Sequence, residues 1–148
     1  MNREDFPMLN QDLIYLDNGA TTLKPKCVID SVVSYYSNYC ANAHRGDYSI
    51  SQKVDSMYEN VREKIKNFIH ANDSSEIVFT SGTTDGLNRI VFGYFRKKLV
   101  EGDEVLITES EHASNVLPWF SLAKEKGIVV KYIPLDSHHE VTISNVKK

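Results

Sequence analysis

The stretch that decides the fold spans residues 76–88 and reads EIVFTSGTTDGLN. Residues 77–79 are β-branched or aromatic, which predicts a buried strand, and the Ser-Gly pair at 81–82 predicts a turn. The polar residues at 83–85 can cap a helix, and apolar residues follow them at helical spacing. A helix N-terminus has unpaired N–H groups and partial positive charge, so two adjacent threonine hydroxyls indicate a phosphate cradle. An ordinary strand–turn–helix connection with a hydroxyl cap explains the same residues.

The composition predicts a single intracellular globular domain. The chain has 148 residues, 41% of them hydrophobic and 25% charged, which is enough to bury a core. Its net charge of −3 argues against a general nucleic-acid binder, and no apolar run approaches the length that spans a bilayer. Cys27 and Cys40 lack metal-ligand spacing and look like reduced residues. We therefore expect a cytoplasmic protein without nucleic-acid or membrane partners.

Strand and helix patterns alternate along the chain and predict an α/β fold. The expected strands cover residues 14–16, 77–79, 104–108 and 128–135, with a further short strand at 140–143. The expected helices cover residues 25–39, 51–69, 83–98 and 116–126, with Pro118 in the first turn of the last one and Ser144 starting another. Such alternation is typical of βαβ units with a mostly parallel sheet. Because the chain stops where that final element begins, we expect a truncated or partial sequence.

Two polar loops are predicted at one edge of this sheet. Ligands of open α/β sheets bind beyond the carboxyl ends of the strands, where residues 81–85 and 109–115 both lie. We therefore expect both loops to face one ligand. The chain has neither a G-x-G-x-x-G fingerprint after a strand nor a G-x-x-x-x-G-K-S/T loop, which excludes the two common nucleotide motifs. The remaining expectation is a small phosphate held by hydroxyls and helix N–H groups.

Four motifs occur in order through nearly the whole chain: YLDNGATT at 15–22, AHRG at 43–46, FTSGTT at 79–84 and SEHASNVLPW at 110–119. In this order and spacing they resemble the class V aminotransferase family of pyridoxal-phosphate (PLP) enzymes, and within it the SufS-type cysteine desulfurases. The resemblance implies a PLP-dependent transferase type I fold, which is α/β with a mostly parallel sheet and flanking helices.

The resemblance also implies a domain organisation. Residues 1–148 would be the N-terminal part of a class V aminotransferase domain. An N-terminal segment would cover about 1–50, and the PLP-binding large domain would start within about 51–148.

The resemblance assigns a cofactor site to particular residues. Gly82, Thr83 and Thr84 match the positions that hold the phosphate of pyridoxal 5'-phosphate. His112 matches the histidine that stacks on the pyridine ring, where a flat imidazole can lie parallel to the heterocycle and relay protons as a catalytic group. SufS-type enzymes often have arginine before Gly-Thr-Thr, whereas this chain has Ser81. The difference puts in doubt a substrate or dimer contact made by that arginine, but not the phosphate site.

A substrate site and a reaction are implied as well. Asn18, Ala20, His44 and Arg45 match positions near the substrate pocket, and the loop of the latter two reaches the neighbouring subunit's site in a homodimer. The implied enzyme converts L-cysteine to L-alanine and holds the sulfur as a persulfide for iron–sulfur cluster assembly, with delivery to a sulfur-acceptor protein. The family's PLP-binding lysine and nucleophilic cysteine lie beyond Lys148, so this chain alone is expected to be inactive.

Three alternatives remain open at this point. The parent enzyme can be a selenocysteine lyase or another class V enzyme, such as an aminotransferase or an epimerase. The chain can instead be a truncated, non-catalytic binding or dimerisation module, or a phosphate-binding α/β domain unrelated to PLP. No metal site is expected, because His138, His139 and Glu140 lack a fourth ligand at suitable spacing.

Overall fold

The computed structural model describes residues 2–147. Its internal contacts divide the chain into two compact units, Met1–Ile77 and Val78–Lys148. The first unit contains helices and short 3-10 turns, and the second contains the sheet. Across residues 2–147, no helix is long and apolar enough to cross a membrane.

The first unit is built on two helices. Helix α1 spans Lys26–Asn38, directly after Pro25, and α2 spans Ser49–Phe68. The predicted amphipathic spacing is present in both, but α1 buries none of its residues and α2 buries Ser51 and Val54. The buried Ser51 hydroxyl donates a hydrogen bond to the Asn42 carbonyl at 2.9 Å, so it ties the preceding loop to α2. Three short 3-10 turns complete the unit: Arg3–Asp5, Pro7–Asn10 and Ser74–Glu76.

The second unit contains a parallel strand–helix–strand arrangement. Helix α3 (Thr83–Asn88) continues into a π-helix at Arg89–Tyr94 and a 3-10 turn at Phe95–Lys97. Strand β1 (Glu104–Thr108) is followed by α4 (Ala113–Lys126) and β2 (Val129–Ile133), and a short α5 (Ile143–Val146) comes last. The two strands pair in parallel from Glu104↔Val129 to Thr108↔Ile133.

The hydrophobic core lies in this second unit. The π-helix, β1, α4 and the residue before β2 contribute its buried side chains: Val91, Ile107, Trp119, Leu122 and Ile128. Leu122 is 0% exposed. Burial of an aliphatic side chain of this size stabilises a fold by about 1.5–3 kcal/mol, so α4 is held firmly against the sheet.

Three of the predicted strands are wrong. Residues 14–16, 77–79 and 140–143 lie outside any strand, although Ile77 is buried. A strand needs a hydrogen-bonded neighbour, and the ladder formed by residues 2–147 has two members, β1 and β2. The predicted α/β class, with a parallel sheet and flanking helices, is confirmed by that pair and the helices around it.

The larger differences between predicted and observed helix boundaries lie in the second unit. Helix α4 begins at Ala113 rather than residue 116, because the His112 ring accepts the Ser114 N–H and caps it earlier. Pro118 therefore lies inside the helix and not in its first turn, and it is buried. The helix expected at 83–98 widens to a π-helix at Arg89, and α5 starts at Ile143 because the Thr142 side chain, and not Ser144, caps it.

Candidate functional site

The turn before α3 is fixed by its own hydrogen bonds. Gly82 has a φ of +150°, a conformation that favours glycine. The Thr80 hydroxyl donates to the Gly82 carbonyl at 3.1 Å, and the Ser81 N–H donates to Asp85 Oδ2 at 3.2 Å. Arg89 Nε donates to the other carboxylate oxygen of Asp85 at 2.8 Å. The Ser81 backbone N–H, and then Arg89, hold the pKa of Asp85 below its ordinary value, so this carboxylate is ionised at neutral pH.

Two hydroxyls remain available at the start of α3. Thr83 and Thr84 are exposed, and neither hydroxyl has a hydrogen-bond partner among residues 2–147. The Thr84 carbonyl is engaged, because it accepts a bond from Asn88 Nδ2 at 2.7 Å. Free hydroxyls beside the unpaired N–H groups of a helix start are a donor set suited to an anion.

The His112 ring is held by the first turn of α4. Its Nδ1 atom lies 3.1 Å from the Ser114 backbone nitrogen and 2.7 Å from the Ser114 hydroxyl. The ring is therefore the N-cap of α4, and its Nε2 atom has no partner within the described part of the chain. An exposed, oriented imidazole with one free nitrogen can stack on a flat ligand and donate or accept a proton.

A polar network links the end of β1 to α4. Glu111 accepts hydrogen bonds from the Thr108 hydroxyl at 3.0 Å and from Asn115 Nδ2 at 2.9 Å. These bonds, with Asn115 first, hold the pKa of Glu111 below its ordinary value. Trp119 Nε1 donates to Asn115 Oδ1 at 3.4 Å, so the network ends on a core residue. The loop that carries His112 is thereby anchored on both sides.

A cavity brings the two predicted loops together within the second unit. It has a volume of about 330 Å³, and α3, the π-helix and α4 contribute its lining residues: Thr84, Asn88, Phe92, Ala113, Ser114, Leu117, Pro118 and Ser121. Thr84 and Ser114 thus line the same cavity. His112 directly precedes the lining residue Ala113 in sequence. Gly82, Thr83 and His112 are not themselves part of the lining, although each is adjacent to a lining element.

The other predicted site residues lie in the first unit, and two of them belong to an exposed turn. The Ala20 N–H donates to the Asp17 carbonyl at 3.2 Å, and the Thr22 hydroxyl donates to the Asn18 carbonyl at 3.2 Å. Asn18 also lines a cavity of about 230 Å³ with Arg3, Phe6, Leu9, Ile14, Tyr15 and Leu23. The turn is therefore ordered by local bonds and presents the Asn18 side chain to that cavity.

The His44–Arg45 loop rests on the polar face of α2. His44 has a positive φ of 59°, and its ring nitrogens lie 3.7 Å from Asp55 Oδ1 and 3.4 Å from Glu59 Oε1. The ring also meets Tyr58 edge to face, with centroids 5.8 Å apart. Arg45 is exposed and makes no ion pair with residues 2–147. The structure therefore engages His44 in contacts with α2 and leaves the Arg45 guanidinium at the surface.

Three residues that support the site were missed by sequence reasoning. Ser114 orients His112, while Glu111 and Asn115 anchor its loop. A signal was present, because Glu111, Asn115 and Trp119 follow one another at intervals of four residues, the spacing of one helix face.

Comparison with known proteins finds a family match and similar sequences. A family model described as Aminotransferase class-V matches residues 14–148. The chain is 43% identical over 148 residues to a probable cysteine desulfurase of Halalkalibacterium halodurans, covering 97% of this chain and 36% of that protein. The chain thus spans about a third of the length of this curated relative.

Two solved structures of similar fold match nearly the whole chain. The apo structure of the cysteine desulfurase from Thermococcus onnurineus NA1 matches with a TM-score of 0.91 at 37% identity, covering 98% of this chain and 36% of that one. A mutant of C-DES with glycine covalently linked to the PLP cofactor matches with a TM-score of 0.75 over 91% of this chain and 34% of that one. At 21% identity, the second match shows a shared fold.

Proposed function

This chain belongs to the aminotransferase class-V family, and from that membership we propose that it supplies the phosphate cup and ring-stacking wall of a PLP-dependent cysteine desulfurase. The reaction would convert L-cysteine to L-alanine and retain the sulfur as an enzyme persulfide for iron–sulfur cluster assembly. The cysteine desulfurase relatives, at 43% and 37% identity, support this choice of substrate.

The observation that carries the proposal is the set of free donors gathered at one cavity. Neither the Thr83 nor the Thr84 hydroxyl has a hydrogen-bond partner among residues 2–147. Thr84 lines the cavity, and Ser114, which bonds the His112 ring, lines it too. Hydroxyls and helix N–H groups fit a phosphate, and a fixed imidazole fits a flat heterocycle. The residues present therefore fit PLP.

Each residue has a defined task in this proposal. Gly82 lets the backbone turn toward the phosphate, while Thr83 and Thr84 donate hydrogen bonds to its oxygens. His112 packs on the pyridine face and keeps a nitrogen free for proton transfer. When bound, PLP supplies an electron sink for the bonds at the amino-acid α-carbon.

The proposal also gives substrate contacts to four residues of the first unit. Asn18 and Ala20 would contact the amino acid, and His44 and Arg45 would extend toward the neighbouring subunit's site in a homodimer. The guanidinium of Arg45 is exposed and has no ion pair in the described chain, which supports a contact with a neighbouring subunit. A cytoplasmic location, transfer of sulfur to an acceptor protein, and a boundary near residue 50 between an N-terminal segment and the large domain belong to the same proposal.

The 148 residues by themselves are proposed to lack turnover. A covalent PLP anchor requires lysine and sulfur transfer requires a cysteine thiolate. Among residues 2–147, no lysine or cysteine lines the cavity with Thr84. The isolated chain incubated with PLP and cysteine is therefore expected to form no alanine above a blank without protein.

PLP titration of the full protein tests the phosphate cup. Thr84→Val removes one hydroxyl at nearly constant volume and should weaken PLP binding by about tenfold to a hundredfold, as expected for a lost hydrogen bond to a charged group. Ser137→Ala, which removes an exposed hydroxyl after β2, serves as the matched control and should leave PLP binding unchanged.

Product analysis tests the reaction. Alanine and sulfide formed from cysteine support the desulfurase assignment, and alanine formed from selenocysteine alone would replace it with a selenocysteine lyase. Normal PLP binding by Thr84→Val would show that this stretch does not bind the phosphate. Absence of PLP binding by the unaltered protein would favour the alternative of a non-catalytic module.

A further inference from the structure

We propose that Ser114 is a positioning residue that fixes the proton of the neutral His112 ring on Nε2 and sets the ring's orientation. The proposal rests on the function proposed above, because that function gives His112 its role. Its first part concerns the ring alone and can be measured without any reaction.

The hydrogen-bond geometry determines the tautomer. A backbone N–H can only donate, and the Ser114 N–H points at His112 Nδ1 over 3.1 Å. Nδ1 must therefore be the unprotonated nitrogen, and a neutral ring carries its proton on Nε2. The Ser114 hydroxyl, 2.7 Å from the same atom, then also donates, so two donors from one residue converge on Nδ1.

The orientation follows from where Ser114 is mounted. His112 is the N-cap of α4, with φ −68° and ψ 144°, and Ser114 lies in the first turn of that helix. Helix α4 is held by Trp119 and Leu122 in the core, and Ser114 is itself half-buried. The ring is thus attached through Ser114 to the helix that carries Trp119 and Leu122 of the core.

The consequence is a hydrogen-bond donor that is available in one defined position. His112 Nε2 has no partner among residues 2–147, whereas Ser114 faces the cavity that Thr84 lines. The ligand group that fits this position is an acceptor atom of the bound amino acid or cofactor. Without Ser114, the ring could rotate and place its proton on either nitrogen.

Nitrogen NMR of the full protein, labelled with ¹⁵N on histidine, tests the tautomer at a pH where the ring is neutral. His112 is assigned by the signal that disappears in His112→Gln. We expect a higher Nε2–H fraction at His112 than at His138, whose ring makes no hydrogen bond within the described chain. Ser114→Ala keeps the backbone N–H but loses the hydroxyl, so the fraction should fall part of the way toward that of His138, and Ser114→Thr should retain it. A proton on Nδ1, or equal fractions at His112 and His138, would overturn the proposal.

Steady-state kinetics of the full PLP-loaded protein test the positioning role. Ser114→Ala should lower kcat about tenfold with KM changed less than about twofold, because orientation of a proton-transfer group is lost while substrate binding is kept. Ser114→Thr should restore kcat, and Ser56→Ala, which removes a hydroxyl that bonds the Gln52 carbonyl in α2, should not change it.

The two measurements separate this proposal from the one on which it rests. An altered tautomer fraction with unchanged kcat in Ser114→Ala overturns the positioning role. If the unaltered protein binds no PLP, the proposed function fails and the positioning role fails with it, while the tautomer at His112 is still decided by NMR.

Discussion

The two units of this chain differ in how far they bury their apolar residues. In Val78–Lys148, side chains from the π-helix, β1, α4 and the residue before β2 meet in one core around Leu122. In Met1–Ile77, α1 has an equally regular apolar face, yet all of it stays exposed: Val28, Ile29, Val32, Val33 and Tyr36. Helix α4 packs against β1 and β2, whereas α1 has no sheet within its own unit in the described residues. Periodicity thus predicts which face of a helix is apolar, and a neighbouring element decides whether that face is buried.

The candidate site follows the same division. Thr84 and Ser114 line one cavity, and Ser114 lies in the first turn of α4, a helix that contributes core residues. Asn18 and the His44–Arg45 loop belong to turns that are held by local hydrogen bonds and by α2. The residues proposed to bind the cofactor therefore lie in the unit that contains the buried core cluster.

The same substitution in the two units should have very different effects on stability. Leu122→Ala removes a side chain that is 0% exposed and should lower the free energy of unfolding by about 3 kcal/mol. Leu16→Ala removes one that is 89% exposed and should cost less than about 0.5 kcal/mol. Urea denaturation followed by circular dichroism measures both. Similar losses for the two variants would contradict the contrast between the units.

A pair of glycines extends the comparison to the backbone. Gly127 ends α4 with a φ of +72°, and an added Cβ would lie 2.9 Å from Glu101 Cγ. Gly127→Ala should therefore lower the unfolding free energy by about 1–2 kcal/mol. Gly19→Ala, in the first unit, meets no atom within 4 Å and has no positive φ, so we expect little change. Thermal melts of both variants check this difference, which fails if Gly19→Ala is the more damaging one.

Each unit contains a hydrogen-bonded aspartate whose protonation by acid should weaken the fold. The pKa values of Asp73 and Asp85 are held low, chiefly by the backbone N–H groups of Ser75 and Ser81. Their contribution to stability is complete above the ordinary carboxyl pKa of about 3.9 and is lost as the pH falls through the lowered value. Asp85→Asn should reduce the dependence of stability on pH below about 4, and Asp73→Asn should do the same for the first unit. Denaturation at several acidic pH values measures this dependence. If the carboxylates were not hydrogen-bonded, the unfolding free energy of each variant would depend on pH as it does in the unaltered protein.

The smallest effect is expected on the exposed face of α1. Val32 is 51% exposed, so Val32→Ser should change the unfolding free energy by no more than about 0.5 kcal/mol. A loss above about 2 kcal/mol in urea denaturation would show that this face is buried in the folded protein.

The sequence was sufficient for the elements whose signals are local. The spacing of Val54, Tyr58 and Val61 predicted α2, and the β-branched run at 104–108 predicted β1 with the observed bounds. Residues 77–79 carry the same kind of run but form no strand, because pairing depends on a neighbour that the run itself does not specify.

For the candidate site, the motifs located both loops but not their internal bonds. The cap on α4 depends on the rotation of the His112 ring, which no spacing rule encodes. Likewise, His44 was expected to face substrate, and its contacts with Asp55 and Glu59 arise only when its loop folds onto α2. The cap by His112 depends on a side-chain rotation and the carboxylates around His44 depend on tertiary contacts, so the sequence pattern could not predict either.

The register of the two strands has a consequence for the speed of folding. Glu104 pairs with Val129 and Thr108 with Ile133, so a single helix separates partners in the ladder. Parallel strands usually pair slowly because the partners are distant in sequence. Here one helix separates them, so the entropic cost of closing the loop is smaller than for a longer connection. We therefore expect the segment from β1 to β2 to form the folding nucleus. We expect folding-rate measurements on Leu122→Ala to give a high φ-value there, whereas a value near zero would place nucleation elsewhere.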